Sequence, residues 1–184
     1  MNRITKLQQL LVAAVAAVLL VSPVAHAGPE APDVPGAIGV EPGHKVFLVG
    51  HAVGVQIYTC AATSTGYAWG LVAPRADLFD AKGKLLATHF GGPTWLARDG
   101  SAVVGQRVDG VNVDPAAIDW LLLSARSTSV GTDGDRLTAT TFIQRTNTTG
   151  GRAPAASTCN SGTVGTTAEV AYTADYHFWK ATGR

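Results

Sequence analysis

Apolar and polar residues alternate at period two along much of the chain from about residue 45, the pattern of β-strands with two unlike faces. In the run ending at Cys60, Val53, Val55 and Ile57 share one face, and Gln56, Tyr58 and Cys60 share the other. The plainest alternation is Glu169–Trp179, where Val170, Tyr172, Ala174, Tyr176 and Phe178 oppose Ala171, Thr173, Asp175, His177 and Trp179. Both of its faces carry bulky residues, which predicts a strand covered on both sides or lining a cavity. Shorter strand candidates are Lys45–Val49, Tyr67–Val72 (ended by Pro74), Ala76–Asp80, Lys84–Phe90 and Ser101–Val111, with a bulge expected at Gly105. Asp80-Ala81-Lys82-Gly83 reads as the turn of a hairpin. Leu137–Thr146, rich in Thr, reads as a further strand.

Asp114–Ser127 fits two descriptions. Asp114 and Pro115 suit a helix start, and Ile118, Leu121, Leu122 and Ala125 fit helical spacing, yet Trp120-Leu121-Leu122-Leu123 also suits a short buried strand. One helical turn at Pro115–Ile118 followed by a strand is the expectation. Many short strands separated by Gly-containing turns, without a repeat, predict an all-β fold. The architecture expected is a single antiparallel β-sandwich or barrel with at most one or two short helical turns, spanning 45–184. Residues 28–44 hold four of the nine prolines and read as an extended lead-in, with Val34–Val40 tucked along the domain.

Composition adds an address. Arg3 and Lys6 precede an apolar run from Leu10 to Val21, and Ala25-His26-Ala27 offers small residues where a signal peptidase cuts. Residues 1–27 are therefore expected to be a signal peptide and the protein to be secreted, whether extracellular, periplasmic or at the cell surface. Without Arg3 and Lys6, 12 basic side chains face 13 acidic ones, a net charge of −1. That balance gives no reason to expect nucleic acid or a membrane surface as partner. Two cysteines, Cys60 and Cys159, are predicted to form one disulfide in an oxidising compartment. It closes a loop of about 100 residues, worth up to ~4.7 kcal/mol in a chain-entropy treatment.

The stretch richest in candidate chemistry is His89-Phe90-Gly91-Gly92-Pro93-Thr94-Trp95, followed by Asp99-Gly100-Ser101. Gly91 and Gly92 can adopt positive φ and Pro93 fixes its own, so a shaped turn is flanked by an imidazole and an indole. His89, Pro93, Trp95 and Asp99 are the candidate binding residues. His89 with Asp99 could act as an acid–base pair, and a Ser101–His89–Asp99 triad can be written, but no Gly-x-Ser-x-Gly elbow accompanies it. His51, His177 and Asp175 add imidazole and carboxylate without a metal-ligand motif, so no metal or cofactor is expected. Of Trp69, Trp95, Trp120, Trp179, Tyr58, Tyr172 and Tyr176, most are expected in the core, and Trp95 in a surface cleft.

Several segments together resemble the secreted DUF3455 family, a domain of unknown function in bacteria and fungi. They are Gly54–Cys60, His89–Trp95, Asp99–Ser101, Trp120–Leu123, Ile143–Thr148 with Gly150-Gly151, and Tyr172–Tyr176. In that family a proline commonly precedes the Trp-Leu-Leu-Leu segment, which favours the strand reading; this chain has Asp119 there. The resemblance implies no activity. Two functions from different classes follow from the residues. The preferred one is a binding or structural module, with a small molecule or glycan as ligand. The alternative is a hydrolytic or metal-assisted enzyme using His89 and Asp99.

Overall fold

The computed structural model describes residues 28–183, and the expected signal peptide lies outside them. Eight strands form it: β1 (His44–Thr63), β2 (Gly66–Phe79), β3 (Leu85–Phe90), β4 (Thr94–Ala97), β5 (Ala102–Val111), β6 (Trp120–Ser129), β7 (Phe142–Gly150) and β8 (Thr167–Ala181). Each pairs antiparallel with the next, and β8 pairs with β1, closing an up-and-down barrel. The expected all-β class therefore resolves as a barrel, and closure removes every unpaired sheet edge. Two short 3-10 turns, Gly36–Ile38 and Ala156–Thr158, are the helical content among the described residues.

An eight-stranded barrel is just wide enough for side chains to fill. Trp95, Leu78, Val103, Ile143, Tyr172, Tyr176 and Phe178 occupy the interior. This crowding explains an inversion on β1. Its more apolar face points outward, with Val53 58 % exposed, while Ala52 and Gln56 are buried. The close approach of β2 leaves no room for a side chain at Gly50, under Leu78, or at Gly54, against Ala76 and the Arg75 carbonyl. A Cβ on Gly54 would lie 2.5 Å from the Cβ of Ala76.

Three segments differ from the sequence reading. Lys45–Val49 and Val53–Cys60 belong to one 20-residue strand, and β2 runs unbroken through Pro74. Pro74 is tolerated because the β1–β2 register slips between Ile57 and Tyr58, beside its partner Gln56. Leu137–Thr141 is a loop, and β7 begins only at Phe142. Local turn bonds from Thr138 N–H to Asp135 O and from Thr140 N–H to Leu137 O hold it instead. In Asp114–Ser127, the Ala117 N–H to Asp114 O bond closes a single turn before β6 begins. The expected bulge at Gly105 appears as a register shift between Val104 and Gly105.

The lead-in packs against the barrel. Ile38 is fully buried, and its carbonyl accepts a bond from Gln144 Nε2 at 2.6 Å. Gln144 Oε1 accepts in turn from Trp179 Nε1 at 2.9 Å. The C-terminal half of β8 is thus buried on both faces, as Phe178 points inward and Trp179 lies under this cover.

Because the strands alternate in direction, the connections β1–β2, β3–β4, β5–β6 and β7–β8 gather at one end, here called the mouth. The other connections lie at the opposite end. A Cys60–Cys159 disulfide ties the β7–β8 connection to β1 at the mouth. No helix among the described residues is long and apolar enough to cross a membrane.

Candidate functional site

The β3–β4 connection is the Gly91-Gly92-Pro93 turn at the mouth, with Gly92 at φ +87°. It allows His89 and Trp95 to pair across adjacent strands with both side chains directed into the barrel. Their rings stack with centroids 4.3 Å apart and planes 7° from parallel. Tyr176 meets His89 edge-on at 5.1 Å and Trp95 at 5.4 Å. Trp95 is 1 % exposed, so it lies inside the barrel and not in a surface cleft. Inward parity on β4 dictates this, because its register partners His89 and Val103 also point inward.

His89 Nδ1 donates to the carbonyl of Thr94 at 2.9 Å. That bond fixes the tautomer and leaves the lone pair on Nε2. Burial drives its pKa down to about 4, the Thr94 bond opposes the shift, and the Arg145 guanidinium adds to it. His89 is therefore neutral at pH 7.

A cavity of about 310 Å³ opens beside these rings. Leu71, Val72, Ala73, Pro74, Pro93, Leu121 and Leu123 give it apolar walls, with His89, Trp95 and Tyr176 on its aromatic side. Its polar lining is Gln56, Arg107 and Arg145, and no aspartate or glutamate lines it. Two buried donors that border it, Trp95 Nε1 and Gln56 Nε2, have no hydrogen-bond partner. Buried polar groups are satisfied in the great majority of cases, and two of the four unpartnered buried atoms among the described residues belong to residues that line this one cavity. Leu71 and Val72 at the rim are 58 % and 61 % exposed.

Asp99 lies elsewhere. It sits in the β4–β5 connection, at the end opposite the mouth. Its Oδ1 accepts from Ser101 Oγ at 2.6 Å and Ser101 N–H at 3.0 Å, and its Oδ2 accepts from Arg136 N–H at 2.9 Å. The Ser101 hydroxyl and the Arg136 amide hold its carboxyl below the usual carboxylate range. Ser101 Oγ accepts from Leu137 N–H at 3.1 Å, so its lone pair is also engaged. A second cavity, about 470 Å³, borders this end with Asp80, Lys84, Arg98, Asp99, Asp133 and Arg136, a mixture of both charge signs. The structure thus brings His89, Pro93 and Trp95 together and sets Asp99 and Ser101 apart from them.

The remaining candidates lie on the outer face of β1, β7 and β8. His51 Nδ1 is 2.6 Å from Asp175 Oδ1, and Asn147 Nδ2 donates to Asp175 Oδ2 at 2.8 Å. His177 Nε2 pairs with Thr146 Oγ1 at 3.1 Å, and burial lowers its pKa against the opposing charge of Asp175. Among the described residues, no group of three His, Cys, Asp or Glu side chains is placed to hold a metal ion.

Sequence reasoning placed Tyr176 on a strand expected to be covered on both sides or to line a cavity, but missed Gln56, Arg107 and Arg145 as cavity residues. These come from β1, β5 and β7, so no local motif joins them. One signal was available: Arg145 falls at the same parity as Ile143, which places a cation on an apolar face.

No curated protein and no solved structure matches the chain. The model of a family described as a protein of unknown function, DUF3455, matches residues 41–180, which takes in all eight strands up to the last residue of β8. The mouth cavity, its stacked His89–Trp95 pair and the Asp99 lock at the far end are therefore features of a chain that belongs to the DUF3455 family.

Proposed function

We propose that this barrel is a secreted small-molecule-binding module whose ligand site is the mouth cavity. One observation carries the reading: a mostly apolar cavity of about 310 Å³ whose lining residues Trp95 and Gln56 each carry a buried donor without a partner. Apolar walls with a few convergent polar groups are the usual make-up of small-molecule sites, and this volume is at the small end of their range. A ligand acceptor meeting either N–H recovers a bond that folding left unmade. The Cys60–Cys159 disulfide supports an oxidising compartment.

A small molecule suits the site better than a glycan. Sugars stack on exposed aromatic faces, whereas Trp95 is 1 % exposed, stacked on His89 and packed against Tyr176 and Phe178. The acid–base alternative loses its carboxylate, since Asp99 is committed to Ser101 and Arg136 at the other end.

A thermal-shift screen of small apolar-bodied compounds against wild type and Gln56→Met tests the proposal. Ligands that raise the wild-type melting temperature should raise that of Gln56→Met less. Stabilisation of equal size in both proteins places the ligand elsewhere and refutes this site.

A further inference from the structure

The donor inventory of the mouth cavity narrows the ligand to one chemical class. Of the polar residues that line it, Arg107 and Arg145 are cations and Trp95 and Gln56 carry unpartnered donors, beside the acceptors His89 Nε2 and the oxygens of Gln56 and Tyr176. Arg145 lines the cavity from β7 and Arg107 from β5. Arg145 spends Nε and Nη2 on the carbonyl of Asp119, at 3.0 and 2.8 Å, a neutral acceptor that leaves its charge unbalanced. Among the described residues no carboxylate lies within ion-pair distance of Arg145. Arg107 has only Asp119 Oδ2, at 3.7 Å. That same Asp119 oxygen pair also receives Asn112 Nδ2, at 3.1 Å on Oδ1. Arg152 lines the adjoining surface beside Arg145 and Asp119. Three guanidinium groups therefore gather around the mouth, and among the described residues only that of Arg107 has a carboxylate within ion-pair distance.

The walls impose the second condition. Leu71, Val72, Pro74, Pro93, Leu121 and Leu123 offer nothing to an ion that is polar all round. A group that suits both halves has an anionic, planar, acceptor-rich head and a small apolar body. The carboxylate matches the forked geometry of a guanidinium and keeps lone pairs for the indole N–H. We infer that the mouth cavity binds a small monocarboxylate, with the carboxylate directed to the Arg107–Arg145 side and the apolar body against the Leu, Pro and Trp95 walls. This rests on the reading of the cavity as a ligand site and specifies what enters it.

Calorimetric titration of the protein with matched pairs tests it: benzoate against benzamide, and isovalerate against isovaleramide. Inorganic phosphate and benzylammonium serve as controls. Each carboxylate should bind about tenfold or more tightly than its amide, since bonds to an ionised acceptor are roughly twice as strong as neutral ones. The advantage should shrink as salt is raised. Arg107→Gln, at a residue whose side chain is largely exposed, should remove most of that advantage, weakening the carboxylates far more than the amides. Arg145→Lys keeps a cation but gives up the two-pronged bond to Asp119, and is expected to weaken carboxylate binding. Equal affinities within both pairs, phosphate binding as tightly as the carboxylates, or carboxylate affinity untouched by both arginine variants each overturn the inference. If the amides bind while carboxylates gain nothing, the cavity is still a ligand site and only the ligand class is wrong. If no member of either pair binds, the carboxylate inference falls, and the screen on wild type and Gln56→Met decides whether the cavity takes another ligand.

Discussion

The two ends of this barrel treat their polar groups in opposite ways. At the end opposite the mouth, Asp99, Ser101 and the Leu137 N–H form a chain in which each donor finds an acceptor: Ser101 Oγ gives to Asp99 at 2.6 Å and receives from Leu137 at 3.1 Å. Asp99 also gathers the β6–β7 loop through Arg136 N–H, and its carbonyl accepts from Asp133 N–H. The buried atom without a partner in that loop, Thr140 Oγ1, lies outside this chain. At the mouth the indole of Trp95 and the amide of Gln56 keep N–H groups unspent beside a cavity. A serine and an aspartate near a histidine in sequence thus serve as a structural lock. The stacked, neutral histidine and its indole line the open site. Chemistry that is satisfied internally stabilises, and chemistry left unmet is available to a ligand.

Acid should separate the two ends, and this is the largest effect expected. An unfolded histidine titrates near 6.5, whereas buried His89 is held at about 4. Between those values the unfolded chain takes up more protons, so stability is full above about pH 6.5 and declines as pH falls toward 4. The loss is on the order of 3 kcal/mol if the whole interval is realised. His177 is shifted the same way and contributes with the same sign. Asp99 has the depressed-carboxylate behaviour, and its contribution is lost only below the usual carboxylate range. Urea midpoints between pH 7.5 and 4 measure this. His89→Phe, which keeps a ring against Trp95, should flatten the profile in part; an unchanged slope refutes the assignment.

Ser101→Ala cuts the lock. It strands the buried Leu137 N–H and removes a bond to Asp99, for a cost of about 2 kcal/mol. Chemical denaturation should report that loss, with ligand binding at the mouth unaffected. A change in binding equal to the change in stability would mean that the ends are not independent.

The smallest effect has the opposite sign. Gln56→Met replaces a buried amide whose Nε2 is unpartnered with an apolar side chain of similar size. It should stabilise the protein by about 1 kcal/mol while weakening binding at the mouth. Destabilisation would show that Gln56 is satisfied by the fold and contributes nothing to a site.

How much of this was legible follows from the distance over which each feature is decided. The Gly-Gly-Pro turn and the pairing of His89 with Trp95 are set within seven residues, and the sequence marks them. The all-β class follows from repeated period-two alternation, but the choice of barrel over sandwich rests on the pairing of β8 with β1. Which face points inward does not, because Val53 and Val55 look like core and Ala52 and Gly54 do not. Only the crowding from Ala76 and Leu78 on the neighbouring strand reverses that. Leu137–Thr141 carries β-branched alternation but is drawn into a loop by a bond to Ser101, 36 residues away. Arg107 and Arg145 meet the mouth only because β5, β6 and β7 are adjacent around the ring.

The most direct test of the mouth as a ligand site is the indole N–H resonance of Trp95. Four tryptophans give four such signals in a nitrogen-15-labelled sample, and Trp95→Phe assigns one of them. Titration with benzoate should move the Trp95 signal most, as its Nε1 acquires an acceptor, and leave Trp179, already bonded to Gln144, in place. A Trp95 signal that stays fixed while benzoate or any other small ligand demonstrably binds would contradict the account.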